Sequence, residues 1–208
     1  MISRRGVVLG GLSLAGLAAY QGASWAATPT EGASQFVKWL AEQAIAALRA
    51  PGMSLEQRET VFRNLLRQGF DLPFLGRFVL GRHWRTATPE QRNDFQQVFE
   101  EYILSTYSYR LGGYAGETFT VLSARAAGSK ETMVSTRIAR PSGPPVKADW
   151  RVRVIAGQYK IIDIMVQGVS MAVTQRSEFA SVIKRNGFEG LLTALRARVD
   201  RFPAASGQ

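Results

Sequence analysis

The feature that most limits what this chain can fold into is a change of hydrophobic period near Gly116. Before that point apolar residues recur at helical spacing, and from there to about Gly168 they alternate one by one; beyond it the helical spacing returns. Four segments carry the alternation: ETFTVLSA, ETMVSTRIAR, VKADWRVRVIAG and QYKIIDIMVQG, joined by Gly, Pro and polar turns. In the third, Val146, Ala148, Trp150, Val152 and Val154 share one face, and Lys147, Asp149, Arg151 and Arg153 share the other. Strands linked this closely, with Ala156–Gln158 as a tight hairpin, pair most simply as an antiparallel sheet with one apolar and one wet face. The expected fold is therefore α+β, with a sheet of about four strands packed against several helices.

The helices have readable ends. Apolar residues from Phe36 to Leu48 keep a helical period, after a polar lead-in at Thr28–Gly32, and "APGM" breaks the run. Ser54 and Gln57 form a capping-box pattern for a second helix that stops near Gly69. Pro73 marks the first turn of a short helix reaching about Leu80. In "TPEQ", Thr88 caps, Pro89 takes the first helical position and Gln91 stands three residues past the cap. The helix that follows shows Phe95, Val98, Phe99, Tyr102, Ile103, Thr106 and Tyr107 on one broad face. Such a face suits a core helix on a sheet, and its large aromatics are also candidates to line a cavity. "RSEFASVIKRNG", stopped by Gly187, and "GLLTALRARV" are two final helices.

Composition bounds the chemistry. A chain of 208 residues, 46% apolar, reads as one domain with short extensions and can bury a core without staples. It has no cysteine, which excludes thiolate nucleophiles, zinc–thiolate sites and iron–sulfur clusters. Residues 1–26 read as an export signal: Arg4 and Arg5, an apolar stretch from Gly6 to Ala19, then small residues at Ser24 and Ala26 before the cut. The paired arginines match the twin-arginine route. The run is also long enough for a membrane anchor, but its Gly/Ala content and small-residue end favour cleavage. Residues 27–208 then form the functional domain. Cleavage removes two arginines and leaves 24 basic against 16 acidic residues, a net charge of about +8. Outside the cytoplasm that charge points away from nucleic acid and toward an anionic membrane or an acidic protein.

Catalytic motifs are scarce. No P-loop, dinucleotide turn, nucleophile elbow or metal-ligand spacing occurs. His83 is the only histidine, and it falls in a connector between helices. Asp163 stands mid-strand in "KIIDIMV", either on the wet face, paired with an arginine such as Arg151, or inside a pocket. The last placement is the enzyme alternative, an isomerase of the ketosteroid type in which one acid moves a proton.

Three segments together carry a resemblance: FDLPFLGRFVLGRHWRTATPEQRNDFQQVFEEYILSTYSYRL, KADWRVRV and YKIIDIMVQGVSMAVTQRSEFASVIKRNGFEGLLTALR. The pairing of "FVLGRxWRxATPEQ" with a later "DIxVxGVS" and "RSxF" resembles the periplasmic phospholipid-shuttle family, the MlaC or toluene-tolerance proteins. The likeness extends over about Phe36 to Val199 and includes a subgroup associated with hopanoid-producing bacteria. Tyr159 stands where the family commonly has Trp, and Thr174–Gln175 where Asn–Tyr is common; these departures bear on pocket shape near the last helices.

The resemblance implies a periplasmic carrier without catalysis or cofactor, holding phospholipid (or hopanoid) in an apolar cavity between sheet and helices. It implies transfer between an outer-membrane lipoprotein complex and an inner-membrane ABC lipid transporter with its substrate-binding ring, in the service of outer-membrane lipid asymmetry. The candidate sleeve for the acyl chains is Phe95, Phe99, Tyr102, Ile103 and Tyr107 on the long helix, with Trp150, Val152, Ile162, Ile164 and Val166 on the strands. Competing readings are the Asp163 enzyme and a basic adaptor with an ordinary filled core.

Overall fold

The computed structural model describes residues 29–110 and 116–201, so the export segment lies outside the described residues. Five helices come first: α1 (Pro29–Arg49), α2 (Leu55–Gly69), α3 (Leu72–Leu80), α4 (Arg82–Thr86) and α5 (Pro89–Arg110). A sheet follows, formed by β1 (Thr118–Ala126), β2 (Glu131–Ala139), β3 (Val146–Ile155), β4 (Gln158–Val166) and β5 (Val169–Ser170). The last described element is α6 (Met171–Arg201). Strand order equals chain order and every pairing is antiparallel, which makes this an α+β fold.

The sheet has five strands where about four were expected. The extra one is only two residues, with Val169 opposite Val166 and Ser170 opposite Met165. A strand that short leaves no period in sequence. Helix α1 spans Pro29–Arg49, so Pro29–Gly32 of the polar lead-in are already part of the helix. Proline at a helix start costs no hydrogen bond. Gly32 is there for space: a Cβ on it would lie 2.0 Å from the Tyr159 hydroxyl oxygen. Helix α6 likewise starts five residues before Arg176, at Met171, and Gly187 (φ 73°, ψ 179°) interrupts it as the sequence implies.

The caps form as their residue types dictate. Ser54 Oγ accepts from the Gln57 N–H at 3.1 Å while Gln57 Oε1 accepts from the Ser54 N–H at 2.9 Å. Thr88 and Gln91 repeat the exchange at 3.2 and 3.1 Å. Asp71 accepts the Phe74 N–H at 3.0 Å, starting α3. Each cap of this kind contributes about 1 kcal/mol.

The histidine-bearing corner is structural at its centre. Gly81, with φ 55° and ψ −121°, turns the chain from α3 into α4. Arg92 reaches back from α5, donating from Nε to the Trp84 carbonyl at 2.8 Å and from its terminal nitrogen to the Arg85 carbonyl at 3.2 Å. Its guanidinium also lies 5.6 Å from the Trp84 ring centroid. One cation thus satisfies two carbonyls that the short helix leaves open and covers an indole face.

Two apolar clusters hold the layers together. One joins α3, α5 and α6 through Val79, Leu80, Phe95, Phe99, Tyr102, Phe179 and the Leu191–Leu192–Leu195 set. Within it the Phe95 and Phe99 rings stack at 5.5 Å, and Phe179 meets both edge-on. The other joins α1 to the sheet through Ala33, Val37, Val134, Val152 and Ile161.

Gly81→Ala should be costly. The φ value is one that side chains rarely adopt, and the new Cβ would lie 2.6 Å from the Arg176 Nε. A loss of about 1–3 kcal/mol in urea unfolding is expected, and a change below a few tenths would contradict this account of the corner.

Candidate functional site

Between the two clusters lies a cavity of ≈ 490 Å³. Val79 and Phe99 from the first cluster and Val37 and Ile161 from the second all face it. Helices α1 and α2 form much of the wall through Leu40, Ala44, Phe62, Leu65 and Leu66; Phe70 and Leu75 continue it, and β3, β4 and the head of α6 complete it. Polar side chains on the wall are few: Tyr107, Asp163 and Gln175. Among the described lining residues only Tyr107 is exposed, at 38%. The volume falls in the range of ligand pockets, and a wall this apolar suits an apolar guest.

The residues expected as a sleeve divide into two groups. Phe99, Ile103, Tyr107, Trp150, Ile164 and Val166 line the cavity. Spaced four apart, Phe99, Ile103 and Tyr107 form a single stripe on α5. Trp150 is held in the wall by donating its indole N–H to Thr136 Oγ1 at 2.9 Å, and that hydroxyl donates on to the Ala148 carbonyl at 2.8 Å. The other four lie elsewhere. Phe95 is fully buried against Phe179 and Phe188. Tyr102 packs on Phe179 and joins its hydroxyl to Gln175 and Arg198, each at 3.3 Å. Val152 is buried in the α1–sheet cluster. Ile162 is the extra residue of a bulge, since Val152 pairs with Ile161 while Arg151 pairs with Asp163. That bulge breaks the simple alternation on which the strand assignment relied.

The wall from α1 and α2 was absent from the expected sleeve. Its signal exists in the helical period of both segments, but a period shows only that a face is buried and says nothing about what it faces.

Asp163 is an anchor. Its Oδ2 accepts the Ser170 hydroxyl at 2.6 Å and its Oδ1 accepts the Ala172 N–H at 3.1 Å, while Ser170 Oγ accepts the Val173 N–H at 3.1 Å. The carboxylate thus ties β4 to the first turn of α6, where negative charge is favoured. Arg151 stands opposite Asp163 in register, yet its ion pair is with Glu131, at 3.7 Å. His83 is half-buried on α4 and does not line the cavity; burial, and next the charge of Arg82, hold its pKa below the ordinary value.

Polar ties also secure α2, whose inner face is cavity wall. Arg63 pairs with Glu101 and, at 3.5 Å, with Glu59; Arg67 pairs with Glu100 at 2.8 Å. Lys160 Nζ donates to the Gln68 carbonyl at 2.6 Å, closing the C-terminal end of α2. Burial opposes the charge on Glu101, but the hydrogen bond and charge of Arg63, helped by Ser105 and Arg67, prevail and hold its carboxyl below the ordinary value of 4.5.

Helices covering one antiparallel sheet around an apolar cavity define the class of this protein. The profile of the MlaC protein matches residues 38–197, and the chain belongs to that family. It is similar, at 28% identity over 106 residues, to the toluene tolerance protein ttg2D of Pseudomonas putida, over 51% of this chain and 49% of that one. It is similar, at 26% identity over 141 residues, to the intermembrane phospholipid transport system binding protein MlaC of Haemophilus influenzae, over 66% of each. These matches span about half and about two thirds of the two relatives. Among solved structures, a phospholipid-binding protein from Ralstonia solanacearum in complex with a phospholipid shares the fold. The TM-score is 0.71 and the identity 27%, with 82% of this chain and 98% of that chain covered.

Two outcomes test this site. Asp163→Asn should lower stability by about 1–3 kcal/mol in denaturant melts, because the head of α6 loses a charged acceptor. The Arg63–Glu101 coupling, measured by a double-mutant cycle with Arg63→Ala and Glu101→Gln, should be below about 1 kcal/mol near neutral pH, since both side chains are partly solvated. A depressed carboxyl pKa stabilises the fold above the unfolded value. The coupling should therefore persist above pH 4.5 and disappear as pH falls through the lower folded value.

Proposed function

We propose that this protein is a periplasmic lipid carrier that encloses phospholipid acyl chains in the cavity between its sheet and helices. The observation that supports it most is the apolar lining of a ≈ 490 Å³ cavity in a fold shared with a protein solved in complex with a phospholipid. Burying each CH₂ contributes about 0.8 kcal/mol, so ten methylenes correspond to roughly 8 kcal/mol of transfer from water. Lipid arriving from a bilayer starts in hydrocarbon, and most of that term cancels. The remainder is small in either direction, which lets a carrier both load and release.

In this reading the chain is exported by its N-terminal segment, residues 1–26, which is then removed. The carrier moves lipid between the outer membrane and an inner-membrane ABC transporter, as the naming of its relatives supports. No step requires bond chemistry. Asp163 is assigned to positioning α6, with both of its oxygens engaged.

Native mass spectrometry of the protein purified without detergent, followed by lipid extraction, tests the proposal. A stoichiometric phospholipid is expected; a hopanoid would redirect the ligand class, and bare protein with no uptake from liposomes would sink the carrier reading. Ile103→Glu places a charge on the half-buried wall, at a residue that packs against the α3–α5–α6 cluster without being one of its buried members. It should fold and lose at least about nine-tenths of its bound lipid, equivalent to about 1.4 kcal/mol or more. Asp163→Asn should keep its lipid.

A further inference from the structure

The segment from Val166 to Arg176 has two faces. Val166, Met171, Ala172 and Gln175 form cavity wall. Val169, opposite Val166 in the sheet, and Val173, next to Ala172, are exposed at 55% and 52%. One turn beyond Val173, Arg176 lays its guanidinium 5.5 Å from the Phe78 ring centroid and against Gly81. Three further arginines stand near Gly81 along the chain. Arg77 accepts the Gly81 N–H on its carbonyl at 3.2 Å, Arg82 follows Gly81 directly, and Arg85 comes one helical turn later. All four side chains are exposed.

Some arginines of this protein are neutralised by a carboxylate, whereas others, such as Arg92 and Arg198, meet only neutral oxygens and rings. Arg63, Arg67, Arg151, Arg153 and Arg196 each meet a carboxylate. Among the described residues, none of Arg77, Arg82, Arg85 and Arg176 forms such an ion pair. Like charges gathered without counter-charges raise the local positive potential and favour an anionic surface. Exposed valines beside them are the other half of an interfacial composition, in which apolar side chains enter the headgroup layer and cations meet phosphate. An acidic protein surface would account for the arginines but gives no reason for the valines to share a segment with the cavity wall.

We propose that this face docks directly on an anionic lipid bilayer and sets the wall of the cavity against the membrane. The inference rests on the lipid-carrier reading. Val169 and Val173 enter the headgroup layer, and the arginines around Gly81 hold lipid phosphates.

The test is co-sedimentation of the purified protein with vesicles of phosphatidylcholine alone or of equal parts phosphatidylcholine and phosphatidylglycerol. The expected result is binding to the anionic vesicles, weak binding to the neutral ones, and loss with added salt. Arg82→Glu with Arg85→Glu should weaken binding about tenfold or more. The charge-matched pair Arg125→Glu with Lys130→Glu, near the β1–β2 turn, should weaken it far less. Val173→Asn, which leaves charge unchanged, should also weaken binding several-fold.

Equal losses from both charge-reversed pairs would overturn the assignment, because net charge alone would explain adsorption. Wild-type protein that stays in the supernatant with anionic vesicles would overturn bilayer docking and leave the arginines to an acidic protein surface. Lipid content by native mass spectrometry on the same samples separates the two proposals. Bound lipid without adsorption defeats docking alone, whereas specific adsorption without bound or acquired lipid defeats the carrier reading and leaves the docking face standing.

Discussion

Two apolar surfaces that face each other without closing set the terms for the rest of this structure. On the scale measured for engineered core cavities, about 24 cal/mol per Å³, an unfilled space of ≈ 490 Å³ would cost on the order of ~10 kcal/mol. That is comparable to the whole stability of an ordinary domain. Such a space persists only if its walls cannot approach or if a guest fills it. The walls here are fastened from their rims. Asp163 fixes the head of α6 to β4, Lys160 and the arginines of α2 fix that helix to the sheet and to α5, and Thr136 holds the Trp150 indole in place. Polar ties at the edge of an apolar chamber cost little, because water or another polar group meets them at the side away from the cavity.

The same logic explains why the core is divided. The cluster between α3, α5 and α6 is closed by stacked and edge-on aromatics, and the cluster between α1 and the sheet by small and branched side chains that allow close approach. Gly32 under Tyr159 is the tightest of those approaches. Each cluster is complete enough to hold its own layers. Neither reaches across to the other, and the cavity lies between them. A ligand in that position adds contacts to both layers at once, so occupancy and stability are coupled through mass action.

Much of this was legible in the residues. The period change at Gly116, the Ser54–Gln57 and Thr88–Gln91 capping pairs and the stop at Gly187 placed the helices and the sheet, because each is a local rule acting within a few residues. The α5 stripe was readable for the same reason. Its two sides were not separable: Phe95 and Tyr102 face α6 while Phe99 and Ile103 meet the cavity, and all four look alike in a helical period. Ile162 was misaligned by a bulge that changes the alternation without changing any residue type. The β5 strand and the early start of α6 depend on one carboxylate seven to nine residues upstream, a contact that composition does not announce.

The sequence by itself determined the class of fold, the positions of most element ends, the surplus of positive charge and the family likeness. These depend on patterns of residue type along a line. Only the tertiary structure decided which buried faces meet protein and which meet the cavity, that α1 and α2 supply so much of the wall, and that Asp163 serves as an anchor. It also decided that Arg176 of α6 lies against Gly81, the glycine flanked along the chain by Arg77, Arg82 and Arg85. Those outcomes depend on the relative placement of distant segments, which the hydrophobic effect drives without specifying: it rewards burial of a face and is indifferent to the partner that provides it.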